Sequence, residues 1–343
     1  MAISNSQTSA SAAPAAPQSS PLVMRIIGAV ALAHLINDLI QSVLPSIYPM
    51  LKDSHGLTFT QVGLITLTFQ LTASLLQPWV GYYTDRHPKP YLLPLGMVST
   101  LIGILMLSQV GSFAMILLAS GLIGIGSSTF HPEASRVARL ASGGRYGLAQ
   151  STFQVGGNAG SAFGPLLAAA IVIPFGQGNV ALFALFAVFA LFVLYRISHW
   201  YASHLNLFKL KQGQAATHGL SKGRVWWALV VLGLLVFSKY FYMASFTSYF
   251  TFYLIEKFDL SVASSQLHLF LFLGAVAAGT FFGGPIGDKI GRKAVIWFSI
   301  LGAAPFTLLL PHVDLFWTSV LSVIIGFVLA SAFSAIVVYA QEL

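Results

Sequence analysis

Charge is scarce in this chain. Asp, Glu, Lys and Arg make up 8% of its 343 residues, against about 25% in ordinary soluble domains. A surface that poor in charge cannot keep a globule of this size in water, so a soluble enzyme and a disordered scaffold are excluded together. Cysteine is absent, which removes disulfides, thiolate metal sites and cysteine nucleophiles. No P-loop, G-x-S-x-G elbow or H-E-x-x-H helix occurs, so no enzymatic activity is expected. What the chain has in abundance is apolar surface: 56% of residues are hydrophobic, and the mean hydropathy is +0.80.

A helix of about 20 apolar residues crosses the hydrocarbon core of a bilayer. Ten segments qualify: 22–50, 57–83, 91–109, 112–133, 147–173, 179–199, 225–254, 264–284, 293–310 and 315–340. The expected fold class is an all-α polytopic membrane protein. Residues 1–21 are rich in Ser, Ala, Pro and Gln and carry no charge. They have neither the basic start nor the apolar core of a secretory signal, and read as a disordered cytoplasmic tail. With the N-terminus placed in the cytoplasm, fourteen of the 17 Lys and Arg fall on the inner side. Only Lys52 and Lys257 fall outside, and Lys239 lies within the seventh span. That is the positive-inside pattern, and it accounts for the net charge of +8 without any nucleic-acid partner.

The polar, basic stretch 201–224 divides the spans into an N-terminal bundle, 22–200, and a C-terminal bundle, 225–343. A repeat supports the division. GYYTDRHPK, starting at Gly81, follows the second span; GPIGDKIGRK, starting at Gly284, follows the eighth. Their aspartates, Asp85 and Asp288, stand 203 residues apart. Two parallel halves of this kind are a transporter arrangement, with the substrate site between them near the midplane.

The second loop matches G-x-x-x-D-[RK]-x-G-[RK]-[RK] in full, and the first has Pro88 in place of a glycine. This loop resembles the signature of the major facilitator superfamily. Three further stretches are similar to its fosmidomycin-resistance branch: HLIND at 34–38 with Pro45 and Pro49, SSTFHPEASR at 127–136, and QSTFQVGGNAG at 150–160. The resemblance covers residues 22 to 343. It implies two pseudo-symmetric six-helix bundles in the bacterial inner membrane, and a monomeric proton-coupled antiporter that exports a small drug-like or phosphonate compound. It implies no cofactor, only protons, substrate and the lipid bilayer as partners. Members of the superfamily have twelve spans, so the expectation is a second bundle of four helices, incomplete by one pair; a ten-helix functional variant is the other reading. Uptake or export of another metabolite, and a transport-dead sensor or scaffold, are the competing functions.

Charged and polar groups inside spans are costly, by about 2.5–3.5 kcal/mol for a charge on insertion scales, and are functional candidates by default. His34, Asn37, Asp38 and Gln41 are spaced i, i+3, i+4 and i+7, which sets them on one helical face. Asp38 is the expected proton carrier with His34 tuning it; a structural hydrogen-bond cluster is the alternative. His131, Glu133 and Arg136 end the fourth span, as a second protonatable site, an inner gate or an interface ion pair. No metal site is expected there, because no further His or Cys stands at ligand spacing. In the fifth span, Gln154 and Asn158 are candidates to line the cavity, and Gly156, Gly160 and Gly164 form a stripe suited to close helix packing. Lys239 is the one basic residue deep in a span. It is either an anion contact facing Asp38 or a snorkelling lysine. The resemblance implies that Gly81, Asp85 and Arg86, with Gly284, Asp288, Gly291 and Arg292, form cytoplasmic latches.

Overall fold

The structure, a computed structural model, describes residues 22–205, 221–332 and 336. For Tyr146, Gly147, Lys222, Gly284, Pro285, Gly287, Asp288 and Arg292 it describes the backbone alone. The expected tail 1–21 and most of the central loop therefore lie outside the described residues, as do the side chains of Gly284, Asp288 and Arg292.

The described residues form a bundle of apolar helices. Eight are long and apolar enough to cross a membrane. In chain order, α1 is Met24–Ser46, α2 is Phe59–Arg86, α4 is Phe113–Ala141, α5 is Leu148–Phe175, α6 is Gln177–Ser203 and α9 is Lys293–His312; α7 is Lys222–Phe258 and α8 is Val262–Ile290. Two shorter helices, α3 at Leu92–Leu107 and α10 at Leu315–Ala330, each run 16 residues, about 24 Å at 1.5 Å per residue. Each of the ten expected segments thus holds a helix among the described residues. Helix starts carry the expected chemistry. Thr58 and Gln61 form a capping box at α2, the Ser112 side chain accepts from Met115 N at α4, and Asp314 accepts from Trp317 N at α10. Pro132 does not break α4, which runs through it.

Contacts at the helix ends define two faces. The Val23 N–H donates to Ala141 O and the Ser198 hydroxyl donates to Pro90 O, gathering the start of α1 and the ends of α4 and α6. At the opposite face, His55 bonds Gln177, and Gln177 Nε2 donates to Leu107 O. Trp79, Leu185, Phe192, Phe237, Phe241 and Leu308 are all exposed around the outside. Lipid covers such a belt; water would not.

Glycines set the packing. In α5, a Cβ on Gly156 would strike the Ala31 carbonyl, one on Gly160 the Leu35 carbonyl, and one on Gly164 the Ser42 side chain. The expected stripe is therefore the seam on which α1 lies directly against the α5 backbone, the most extensive helix contact in the chain. In the second half, Gly279 and Gly283 of α8 meet the α10 backbone at Phe327 and Ser331 in the same way. Gly160→Leu should lower stability by about 1–3 kcal/mol through overpacking, read as a fall in melting temperature of the detergent-solubilised protein. Gly28→Leu, which enters open space, should leave the melting temperature unchanged.

Candidate functional site

The glycine seam positions a polar cluster. His34 of α1 is 1% exposed, with its ring stacked on Phe153 of α5 at 4.0 Å between centroids. Its Nδ1 lies 2.7 Å from Phe153 O. A carbonyl oxygen only accepts, so this nitrogen carries the hydrogen. His34 Nε2 then faces Asp38 Oδ2 at 3.3 Å. From α4, His131 repeats the arrangement: Nδ1 lies 3.0 Å from Ser127 O, and Nε2 faces Asp38 Oδ1 at 3.6 Å. The two imidazoles meet edge to face, 5.0 Å apart.

Both rings are thus pinned in the tautomer that turns a lone pair toward the same carboxylate. With neutral rings and an ionised Asp38, three acceptors converge on one point, which is repulsive. Add one proton to either Nε2 and the contact becomes a charge-assisted hydrogen bond. The site is built to hold a positive charge. The three donor atoms lie within 4.8 Å of one another, a spacing at which a metal ion would also fit; a shared proton meets the same need without further ligands.

Asn37, fully buried, steadies the carboxylate by donating from Nδ2 to Asp38 Oδ1 at 3.0 Å. Gln41 Oε1 accepts from Ser127 Oγ at 3.2 Å, joining α1 to the turn of α4 that holds His131. All four residues read from the α1 spacing therefore share one connected site. Gly157 is part of it as well. A Cβ there would run into the His34 ring and Asp38 Oδ2, so only glycine leaves the cluster room. Proximity in sequence groups His131 with Glu133 and Arg136, two and five residues on. Two residues turn a helix about 200°, so His131 faces α1 while Glu133 faces the opposite way.

Glu133 and Arg136 build a second, separate assembly. The Arg136 guanidinium pairs with Glu133 and with Asp85, and donates to Thr84 Oγ1 at 3.1 Å. Glu133 is fully buried, so its pair with Arg136 lies inside the bundle. Asp85, which the resemblance makes part of a latch, pairs with Arg136. Arg86 lies over the Tyr82 ring, 3.6 Å from its centroid. Gly81 sits against Pro132 of α4, and Gly291 takes φ +91°, which glycine permits at the turn into α9.

Gln154 and Asn158 are half-buried on α5, one position beyond Phe153 and Gly157, the residues that touch the cluster. Lys239 does not face Asp38. Its Nζ donates to Ser299 Oγ of α9 at 3.0 Å, beside a cavity of about 340 Å³ lined by Tyr242, Thr307, Ala303 and Leu329. A one-residue step is 100° of helix, and the offset between loop repeats could not resolve it.

The family model described as Major Facilitator Superfamily matches residues 30–343. The chain belongs to the Major Facilitator Superfamily. It is a multi-pass membrane transporter and not an enzyme. It is 60% identical over 318 residues to the fosmidomycin resistance protein of Escherichia coli, covering 93% of this chain and 78% of that one. It is 41% identical over 325 residues to the uncharacterized MFS-type transporter YfnC of Bacillus subtilis, covering 94% and 78%. Among solved structures, an inward-facing, occupied bacterial homolog of the human lysosomal transporter Spinster superposes with a TM-score of 0.70 at 16% identity, over 93% of this chain and 74% of that chain. The likeness extends the superfamily's fold to this chain.

Removing one partner of a buried ion pair costs about 3–5 kcal/mol, because it strands the other charge. Arg136→Gln should therefore reduce folded yield sharply, as measured by fluorescence-detected size exclusion, and adding Glu133→Gln to it should restore most of the loss. Asp85 is 58% exposed, so Asp85→Asn should change stability by no more than about 1 kcal/mol.

Proposed function

We propose that this protein exports a small phosphonate-type drug such as fosmidomycin, by alternating access, driven by protons that bind at the His34–Asp38–His131 cluster. The observation that carries the reading is the convergence of two pinned imidazole lone pairs on one carboxylate within a membrane span. A site that needs a positive charge, reached by no fixed Lys or Arg among the described residues, suits a mobile one. The 60% identity to a fosmidomycin resistance protein supports the substrate class.

In this reading a proton enters from outside, bridges Asp38 to His34 or His131, and lets the halves rock. Its release inside leaves the cluster free for the next cycle. Proton and drug need not touch the same atoms; each has only to favour a different state of the two halves. Gln154 and Asn158, on the amide face of α5, are assigned to drug contact. Lys239 is assigned to the anionic end of the drug through its cavity. The end of α2 with Gly81, Asp85 and Arg86, and the end of α8 with Gly284 and Asp288 and the turn at Gly291 before Arg292, act as gates. The basic loops favour a cytoplasmic N-terminus in a bacterial inner membrane, and one chain suffices as a monomer with no cofactor beyond the proton gradient.

The test is fosmidomycin accumulation in sensitive bacteria. Cells expressing the protein should hold several-fold less drug than empty-vector cells. Asp38→Asn or a protonophore should erase the difference while membrane levels of the protein stay equal. A difference that survives both treatments would remove proton coupling through Asp38, and no difference at all in the parent would remove this substrate.

A further inference from the structure

Alternating access requires the two halves to part at one face and close at the other, and the following rests on that part of the proposed function. Polar contacts between the first six helices and the last four gather at the face where α1 ends and α2 begins. Gln266 of α8 is fully buried, and its Nε2 donates to Ser46 O at 2.7 Å, across 220 residues. Beside it, Thr66 of α2 bonds Ser248 of α7 at 3.1 Å and Tyr48 at 2.9 Å. The Tyr249 hydroxyl donates to Phe59 O at 3.4 Å. Rings close the remaining gaps: Phe59 meets Phe252 edge to face at 5.2 Å, and Phe163 lies 6.2 Å from Phe270.

Ser46 is the reason an amide is needed. It is the last residue of α1, which stops at Ile47 before Pro49 opens the next short helix. A helix end leaves carbonyls without intrahelical donors, and a buried carbonyl left unpaired is destabilising. Gln266 supplies the donor from the opposite half. The bond exists only while the halves are together at this face.

These contacts are all between neutral groups. The described pairings of Asp85, Glu133 and Arg136 lie within the first half, near the other face. Asp38 and His131 nevertheless keep 18% and 27% of their side chains exposed.

We propose that Gln266 is the latch of a gate, with the Thr66–Ser248 pair beside it, that closes the outer face over the His34–Asp38–His131 cluster. Its role is positional: it holds one of the two transport states and touches neither proton nor drug.

The chain has no cysteine, so spin labels can be placed without background. Asp53→Cys and Glu256→Cys put labels on exposed outer positions of opposite halves, and double electron–electron resonance reads the distance between them. The labelled parent should give a dominant short distance and a minor long one. Gln266→Leu and, separately, Ser248→Ala should each raise the long-to-short ratio by about fivefold, the effect of losing one hydrogen bond. An unchanged ratio in both variants overturns the latch. If Gln266→Leu fails to fold, Ser248→Ala and Thr66→Val decide by the same criterion. A single distance in the parent at pH 5.5 and 8, with and without fosmidomycin, would instead overturn alternating access itself. Because the readout is conformational, a chain that proves not to carry fosmidomycin still tests the gate.

Discussion

The contact between α1 and α5 is the constraint from which the rest follows. Three α5 glycines, one turn apart, let the α1 backbone lie where side chains would otherwise stand. In lipid no hydrophobic force draws helices together, so such close packing supplies much of the association. It also sets the chemistry. Only at this separation does the Phe153 carbonyl reach His34 Nδ1 at 2.7 Å, and only a glycine at 157 leaves space for the imidazole and the carboxylate. The tautomer of His34, and hence the lone pair presented to Asp38, is a consequence of backbone packing.

Polar groups within the spans are satisfied in different ways. Arg136 is answered by fixed partners, Glu133, Asp85 and Thr84. That arrangement stabilises a single geometry, because removing either charge strands the other. Lys239 is held by a neutral hydroxyl, Ser299, whose own hydrogen goes to Leu329 O. The His34–Asp38–His131 cluster has acceptors in excess of donors, and only an added proton or cation balances it. A site that is balanced in one protonation state and not in the other can couple protonation to conformation, which is what a bistable carrier requires.

The two faces of the bundle are built from different materials. One is closed by neutral hydrogen bonds and aromatic rings between the halves. The other carries arginines and carboxylates whose described pairings stay inside the first half. Neutral contacts can break and re-form without the desolvation penalty that separating buried charges carries. In the rocking motion proposed above, neutral contacts between the halves and ion pairs within one half avoid that penalty.

The sequence by itself determined that the chain spans a membrane, because composition and run length are set by the solvent, and bilayer hydrocarbon tolerates little else. It also placed the apolar helical segments in order along the chain. The α1 constellation was legible too, since His34, Asn37, Asp38 and Gln41 lie on one helix and helical spacing alone puts them on one face. So was the α5 glycine stripe. The remaining decisions belonged to the tertiary structure. His131 joins Asp38 and parts from Glu133, Asp85 pairs with Arg136, Lys239 donates to Ser299, and Gln266 finds the end of α1. Each depends on the rotation of one helix against another, where a single residue means 100°. Spacing within a helix records which side chains share a face; only packing records what that face meets.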